Sequence, residues 1–160
     1  MSIERARAHL EKVGLADRIK EFEVSSATVA LAALALGTEE ARIAKSLSFM
    51  TPDGPILVIA AGDAKINNSK YKQTFATKAR MLDFASVEEL VGHAVGGVCP
   101  FGINEGVRVF LDESLRRFDV VYPAAGTASS AVRLTIPELE RASLFERWVD
   151  VTSIPEGEEA

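Results

Sequence analysis

The chain of 160 residues has one cysteine, Cys99, and two histidines, His9 and His93. A single thiol cannot close an intramolecular disulfide. No Cys/His cluster has the spacing of a zinc site, so neither a metal nor another cofactor is expected. Long apolar runs are missing too. The longest uncharged stretch, residues 24–38, is Ala-rich, broken by Ser and Thr, and too short to cross a bilayer as a helix. No membrane partner is expected. The start, Met1-Ser2-Ile3-Glu4-Arg5, is charged and amphipathic, unlike a secretory signal, so the expected location is cytoplasmic. Basic excess is also absent. With 18 basic and 23 acidic residues the net charge is −5. That argues against a protein that coats nucleic acid nonspecifically, and DNA is not an expected partner, because counterion release needs a basic face. Neither a phosphate-binding P-loop nor a dinucleotide fingerprint occurs, and there is no internal repeat or linker.

What is present suffices for one folded domain over residues 1–160. Apolar residues make up 48%, enough for a core at this length. Ile3, Ala6, Leu10 and Val13 recur at helical spacing, with Ser2 as a cap and Gly14 as a stop. Phe22 and Val24 alternate with Glu21 and Glu23 as a short strand. Thr28 to Leu36 reads as an apolar helix ended by Gly37. Arg42 to Met50 and Ile56 to Ala61 read as a hairpin around Thr51-Pro52-Asp53-Gly54-Pro55. Asn67 or Asn68 opens a helix to about Lys78. Arg80 to Asp83 suggests a strand, and Ser86-Val87-Glu88-Glu89 suggests a capping box for a helix to about Gly92. Further strands are expected at Val107–Leu111, Asp119–Tyr122, Ala131–Ile136 and Trp148–Val151. Pro137 suits the first position of a helix. Residues 155–160 form an acidic tail, expected to fray. Short, unevenly spaced strands among helices predict an α+β fold with a strongly curved mixed sheet.

Three stretches carry candidate chemistry. In Val95-Gly96-Gly97-Val98-Cys99-Pro100-Phe101-Gly102, three glycines and a proline fall within seven residues, flanked by apolar side chains. Such a loop can be a tight connection. It can also be a stiff, side-chain-poor platform that presents backbone groups to a ligand. Lys45 shares a strand face with Ile43, Leu47 and Phe49. It must snorkel to solvent, pair with an acid, or line a cavity. From Ala64 to Leu82 no acid occurs, while Lys65, Lys70, Lys72, Lys78 and Arg80 are basic. This strip is either a solvated face or a cradle for phosphates.

Five motifs occur in order: Ile43-Ala44-Lys45-Ser46-Leu47, Gly62-Asp63-Ala64-Lys65, Gly96 to Gly102, Val109 to Leu115, and Ala125-Gly126 ahead of Pro137-Glu138-Leu139. Together they resemble the YbaK family, the prolyl-tRNA synthetase-associated editing domains, over nearly the whole chain. The resemblance implies a barrel-like mixed sheet with flanking helices. It implies an aminoacyl-tRNA deacylase that acts in trans on mischarged tRNA-Pro carrying a small amino acid such as Ala or Cys. The implied partners are the acceptor end of aminoacyl-tRNA and prolyl-tRNA synthetase.

By the same resemblance Lys45, Gly96, Gly97 and Pro100 form the catalytic set, and the loop positions the ester through backbone contacts. Asp63, Lys65, Val98, Cys99, Phe101, Gly102 and Gly126 would then contact substrate, and Lys70, Lys72, Lys78 and Arg80 would contact tRNA phosphates. Two other readings stand beside it. One is a non-catalytic module of the same fold that binds tRNA or a synthetase. The other is a cysteine hydrolase with Cys99 as nucleophile and His93 as base.

Overall fold

A computed structural model describes residues 2–23 and 28–155. Its centre is the expected hairpin. Strand β2 (Ile43–Thr51) runs antiparallel to β3 (Gly54–Ala61), with Lys45 opposite Ala60. Pro52 and Asp53 make the turn, and the Thr51 hydroxyl donates to Gly54 O at 2.7 Å. Parallel to β3 lies β5 (Arg108–Asp112), and parallel to β5 lies β9 (Arg147–Val149). On the other side β6 (Val120–Pro123) runs parallel to β2 and carries β8 (Leu134–Thr135) antiparallel. The order is β8-β6-β2-β3-β5-β9, a mixed sheet curled into a half-barrel. The expected α+β class is correct.

Both faces of this sheet are covered, which is why β3 from Ile56 to Ala61 is wholly buried. One face, with Leu57, Ile59, Val109 and Leu111, packs on Ala6 and Leu10 of α1 (Ser2–Glu11) and Leu139 and Ala142 of α5 (Ile136–Ser143). Cys99 and Phe101 of the glycine loop belong to this core. The other face packs on α3 (Asn68–Phe75). There Phe49, Tyr71, Phe75 and Phe110 form a chain of rings with centroids 4.8–5.0 Å apart. Helix α2 (Val29–Leu36) begins at Thr28, whose side chain accepts from Leu31 N–H, and ends at Gly37 in the left-handed region. The residue types at both ends dictate those boundaries.

The buried carboxylate of Asp112 ties the C-terminal segment to the sheet. It accepts from Ser114 N–H, Val151 N–H and the Thr152 hydroxyl at 2.7–3.0 Å. Thr152–Ser153 then forms β10 against β4 (Lys65–Ile66), a pairing the sequence pattern did not suggest.

Several local expectations shift. Helix α3 stops at Phe75 rather than near Lys78, because Ala76 turns left-handed. Arg80–Asp83 is not a strand. It makes a single bridge, Phe49 to Met81, flanked by bonds from Met50 N–H to Arg80 O and from Leu82 N–H to Ser48 O. Helix α4 (Val87–Val91) forms without the capping box, because Ser86 is already in helical geometry and its side chain does not cap. The box that does form joins Thr135 and Glu138 at the head of α5, and Pro137 is the second helical residue. The stretch 131–136 splits at Arg133. Its first part, β7 (Ser130–Val132), pairs with β1 (Ile19–Glu21), and the rest pairs with β6. Thus the early strand lies at Ile19–Glu21, and Phe22 and Glu23 fall beyond its end. Val24 lies outside the described residues, as do 156–160 of the tail and the side chain of Ser2.

Candidate active site

Among the described residues the outer edge of β2 is paired in two places. At Ile43–Ala44 it meets β6, and at Ser48–Met50 it meets the 80–82 segment. Residues 45–47 lie between, where β6 has diverged toward Ala124. A cleft of about 100 Å³ opens in that gap. Apolar side chains line most of it: Val29, Ala32, Ile43, Tyr122, Ala124 and Ala131. Lys45, Ser46, Gly96 and Val98 complete its wall beside Thr28 and Ser130. The structure therefore brings together Lys45 and the first half of the glycine loop, which are about fifty positions apart in sequence.

Lys45 does not snorkel freely. Its ammonium donates to Gly62 O at 3.3 Å and, more closely, to Ala64 O. These carbonyls belong to the Gly62-Asp63-Ala64-Lys65 turn, so the second motif serves to hold the first. Burial lowers the Lys45 pKa, Asp63 opposes that effect, and Lys65 adds to it. Asp63 is itself clamped by Arg117, with guanidinium nitrogens at 2.6 and 3.1 Å from its two oxygens. The hydrogen bond from Arg117 is the main reason its carboxyl titrates below the usual range. Asp63 thus supports Lys45 electrostatically and does not line the cleft. Arg117 was absent from the candidate set, since nothing in its local sequence signals a partner 54 residues away.

Within the loop the two adjacent glycines differ. Gly96 faces the cleft with φ near +94°, a conformation that side chains rarely adopt. Gly97 is buried against the turn at Gly126. A Cβ there would sit 2.5 Å from the carbonyl of Gly126 and from Thr127 N. Gly126 is therefore a packing partner of the loop. Beyond Val98 the loop dives inward: Cys99, Pro100 and Phe101 are all buried and contribute no surface to the cleft. Gly102 N–H donates to His9 Nδ1 at 2.9 Å, and His9 Nε2 donates to Ala142 O at 2.7 Å. His9 is thus a peg that fixes the loop's exit to α1 and α5.

This geometry removes the cysteine-nucleophile reading. Cys99 is fully buried, and burial pushes its thiol up to about 12. His93 is buried too, and desolvation lowers its pKa. Its Nε2 donates to Phe101 O at 2.6 Å, so that nitrogen carries the hydrogen and cannot take one from Cys99 Sγ at 3.6 Å. His93 Nδ1, the nitrogen that could accept, meets no partner.

The basic strip divides. Lys70 pairs with Asp150 at 3.0 Å and also donates to Thr152 O. Lys72 and Lys78 border a separate hollow with Asn68, Ser69 and Ala79, beside α3. Lys65 lies on β4 and Arg80 is exposed. One polar atom of the cleft escaped notice in the sequence: Ser46 Oγ is buried there without a hydrogen-bond partner.

The family model for the aminoacyl-tRNA editing domain matches residues 23–142. An uncharacterized Bacillus subtilis protein, YwhH, is 49% identical over 94% of this chain and 97% of its own length. The proline--tRNA ligase of Streptococcus sanguinis is 29% identical over 77% of this chain, which spans only 20% of that enzyme. A crystal structure of a candidate trans-editing enzyme for prolyl tRNA synthetase superposes with a TM-score of 0.86 at 31% identity, covering 95% of this chain and 97% of that one. Among the described residues no group of three or more His, Cys, Asp or Glu could hold a metal, and no helix is long and apolar enough to cross a membrane.

Proposed function

Because the chain belongs to the aminoacyl-tRNA editing domain family, we propose that it is a trans-editing hydrolase. It deacylates mischarged tRNA, and its substrate is tRNA-Pro bearing a small amino acid such as alanine or cysteine. One observation carries the reading: a small apolar cleft has both Lys45 and Gly96 in its lining. A cavity of ~150 Å³ takes up a benzene ring, so about 100 Å³ suits a side chain of one or two heavy atoms.

Hydrolysis of the ester forms a bond from a water oxygen to the carbonyl carbon and releases the ribose hydroxyl of the terminal adenosine. An aminoacyl ester needs little activation. The backbone N–H of Gly96 on the cleft wall, fixed before substrate arrives, stabilises the developing oxyanion, while Gly97 N–H is already bonded to Ala94 O at 3.0 Å and holds the loop in shape. Loss of one such donor elsewhere costs roughly 10²–10³ in rate. The Lys45 ammonium, already bound to two carbonyls, has a third hydrogen to offer the ester or the terminal phosphate. Pro100 stiffens the loop from beneath. Lys65, Lys72, Lys78 and Arg80 supply sequence-independent phosphate contacts along the acceptor stem. Prolyl-tRNA synthetase is the expected protein partner. Selection by an apolar cleft is worth only ~1–3 kcal/mol per methylene, so the tRNA contacts must add to specificity.

Single-turnover deacylation of tRNA-Pro charged with Ala, Cys, Ser, Thr or Pro tests the proposal. Fast release of Ala or Cys with Pro spared supports it. No release of any amino acid overturns it and leaves the non-catalytic binding module.

A further inference from the structure

Next to the cleft lies a second depression of about 260 Å³. Gly96 and Val98 line both. The rest of the second wall is Ser48, Met81, Leu82, Phe84, Val87 and Val95. Three of these are large apolar side chains left open to solvent: Phe84 is 80% exposed, Met81 59% and Val95 43%. An aromatic ring that exposed gains little for folding. Grouped with two other exposed apolar chains around a depression, it marks a binding surface.

We infer that this groove is the seat of a purine base, the adenine at the 3′ end of the substrate, with Phe84 as its stacking partner. The inference rests on the editing reading and extends it. Three observations select this occupant. First, the cleft is too small for a bicyclic base once a cavity of ~150 Å³ is needed for benzene alone, whereas the groove has more than twice the cleft's volume. Second, the groove adjoins the cleft, since Gly96 and Val98 line both, so a ligand whose ester lies over Gly96 can place its other end there. Third, the spacing fits. Ser46 lines the cleft and Ser48 lines the groove, two residues apart on one strand and therefore roughly 7 Å apart. The acylated oxygen of a ribose and the ring of its base lie a comparable distance apart. Aromatic, sulfur-bearing and branched side chains offer flat apolar contact and little hydrogen-bonding capacity, which suits stacking rather than readout of base edges.

The test uses the full chain and two stable amide analogues: 3′-alanylamino-3′-deoxyadenosine, and the same aminoacylated ribose without its base. Binding is measured by calorimetry and melting by circular dichroism. Phe84→Ala should keep the wild-type melting temperature and weaken the adenosine analogue by about tenfold, the loss expected when a stacking aromatic is removed. Phe84→Trp should restore it, and neither change should alter binding of the base-free analogue. If wild type and Phe84→Ala bind both analogues equally, the groove assignment is wrong while the editing reading stands. If Phe84→Ala instead abolishes self-association seen by sedimentation, the groove is an interface between copies and the assignment is again wrong. If wild type binds neither analogue and deacylates no tRNA, the editing reading fails and the groove assignment falls with it.

Discussion

Lys45 and Lys70 look alike in the sequence, each a lysine next to small or polar neighbours, and the fold treats them in opposite ways. Lys70 sits in a stretch without acids and finds a carboxylate, Asp150, 80 residues away. Lys45 sits on an apolar strand face, and among the described residues no carboxylate is bound to its ammonium; it is held by the carbonyls of Gly62 and Ala64. Asp63, close enough to influence it, is tied up by Arg117. A neutralised surface lysine has little left to offer a ligand. A half-buried lysine resting on carbonyls keeps its charge poised beside a cleft. The lesson is that a cation's availability is set by residues distant in sequence, and local charge counting cannot decide it.

The same contrast recurs between the two loop glycines, and the largest expected effect lies there. Gly97→Ala should destabilise the fold by at least about 2 kcal/mol, because the new methyl meets backbone that cannot rotate away. Calorimetry should record a fall in melting temperature of roughly 4–8 °C or more. An unchanged melting temperature would mean that the Gly126 turn yields easily, and the loop would not be the rigid platform described.

Next in size is Lys45→Ala. It should leave the fold intact, lower the melting temperature modestly because the Gly62 and Ala64 carbonyls lose their donor, and slow deacylation per folded molecule at least about tenfold, or ~1.4 kcal/mol of transition-state stabilisation. Lys70→Ala, with its charge already satisfied, should change the single-turnover rate less than twofold, about 0.4 kcal/mol. Equal losses at the two positions would erase the contrast between them.

Much of this was legible in the sequence wherever the signal is local. Thr28 and Gly37 bound α2 because a hydroxyl cap and a left-handed glycine act within one turn. Thr51 to Pro55 fixed the hairpin, and alternation placed Lys45 on the apolar face. The resemblance supplied the link between Lys45 and the glycine loop. Illegible were the interactions that only chain folding creates: Asp63 with Arg117, Lys70 with Asp150, and His9 with Gly102. The split of the 131–136 strand was hidden for the same reason, since β1 and β6 compete for its two halves. Cys99 and Phe101 were candidates for substrate contact because they sit in the loop. Their apolar character, which drives them into the core, was the better guide.

A third prediction concerns the buried thiol. Cys99 titrates at about 12 in the fold against 9.0 as its ordinary value. A raised acid pKa means that the neutral thiol is favoured in the native state. The associated stability is full below pH 9 and is lost as pH climbs toward the native pKa. Relative to Cys99→Ser, the wild type should lose about 1 kcal/mol between pH 9 and about pH 10. Urea melts at those two pH values check it. Parallel curves for the two proteins would mean that the thiol is open to solvent.

The smallest effect separates members of the basic strip. Replacing Lys72 and Lys78 should flatten the salt dependence of tRNA binding by roughly one unit of slope for each phosphate no longer neutralised. Replacing Lys70 should flatten it less, since Asp150 already occupies that ammonium. Filter-binding titrations across ionic strength would show the order, and a greater flattening at Lys70 would reverse it.

The central claim is that the loop acts through its backbone and not through its thiol. The direct measurement is the deacylation rate per folded molecule for two variants, Gly96→Val and Cys99→Ser. Gly96→Val sets a branched side chain on the cleft wall at a φ that only glycine adopts readily. Its rate should fall at least about tenfold below wild type. Cys99→Ser leaves every main-chain donor in place and should stay within about twofold of wild type. An inactive Cys99→Ser beside an active Gly96→Val would contradict the account and return the cysteine to the centre of the chemistry.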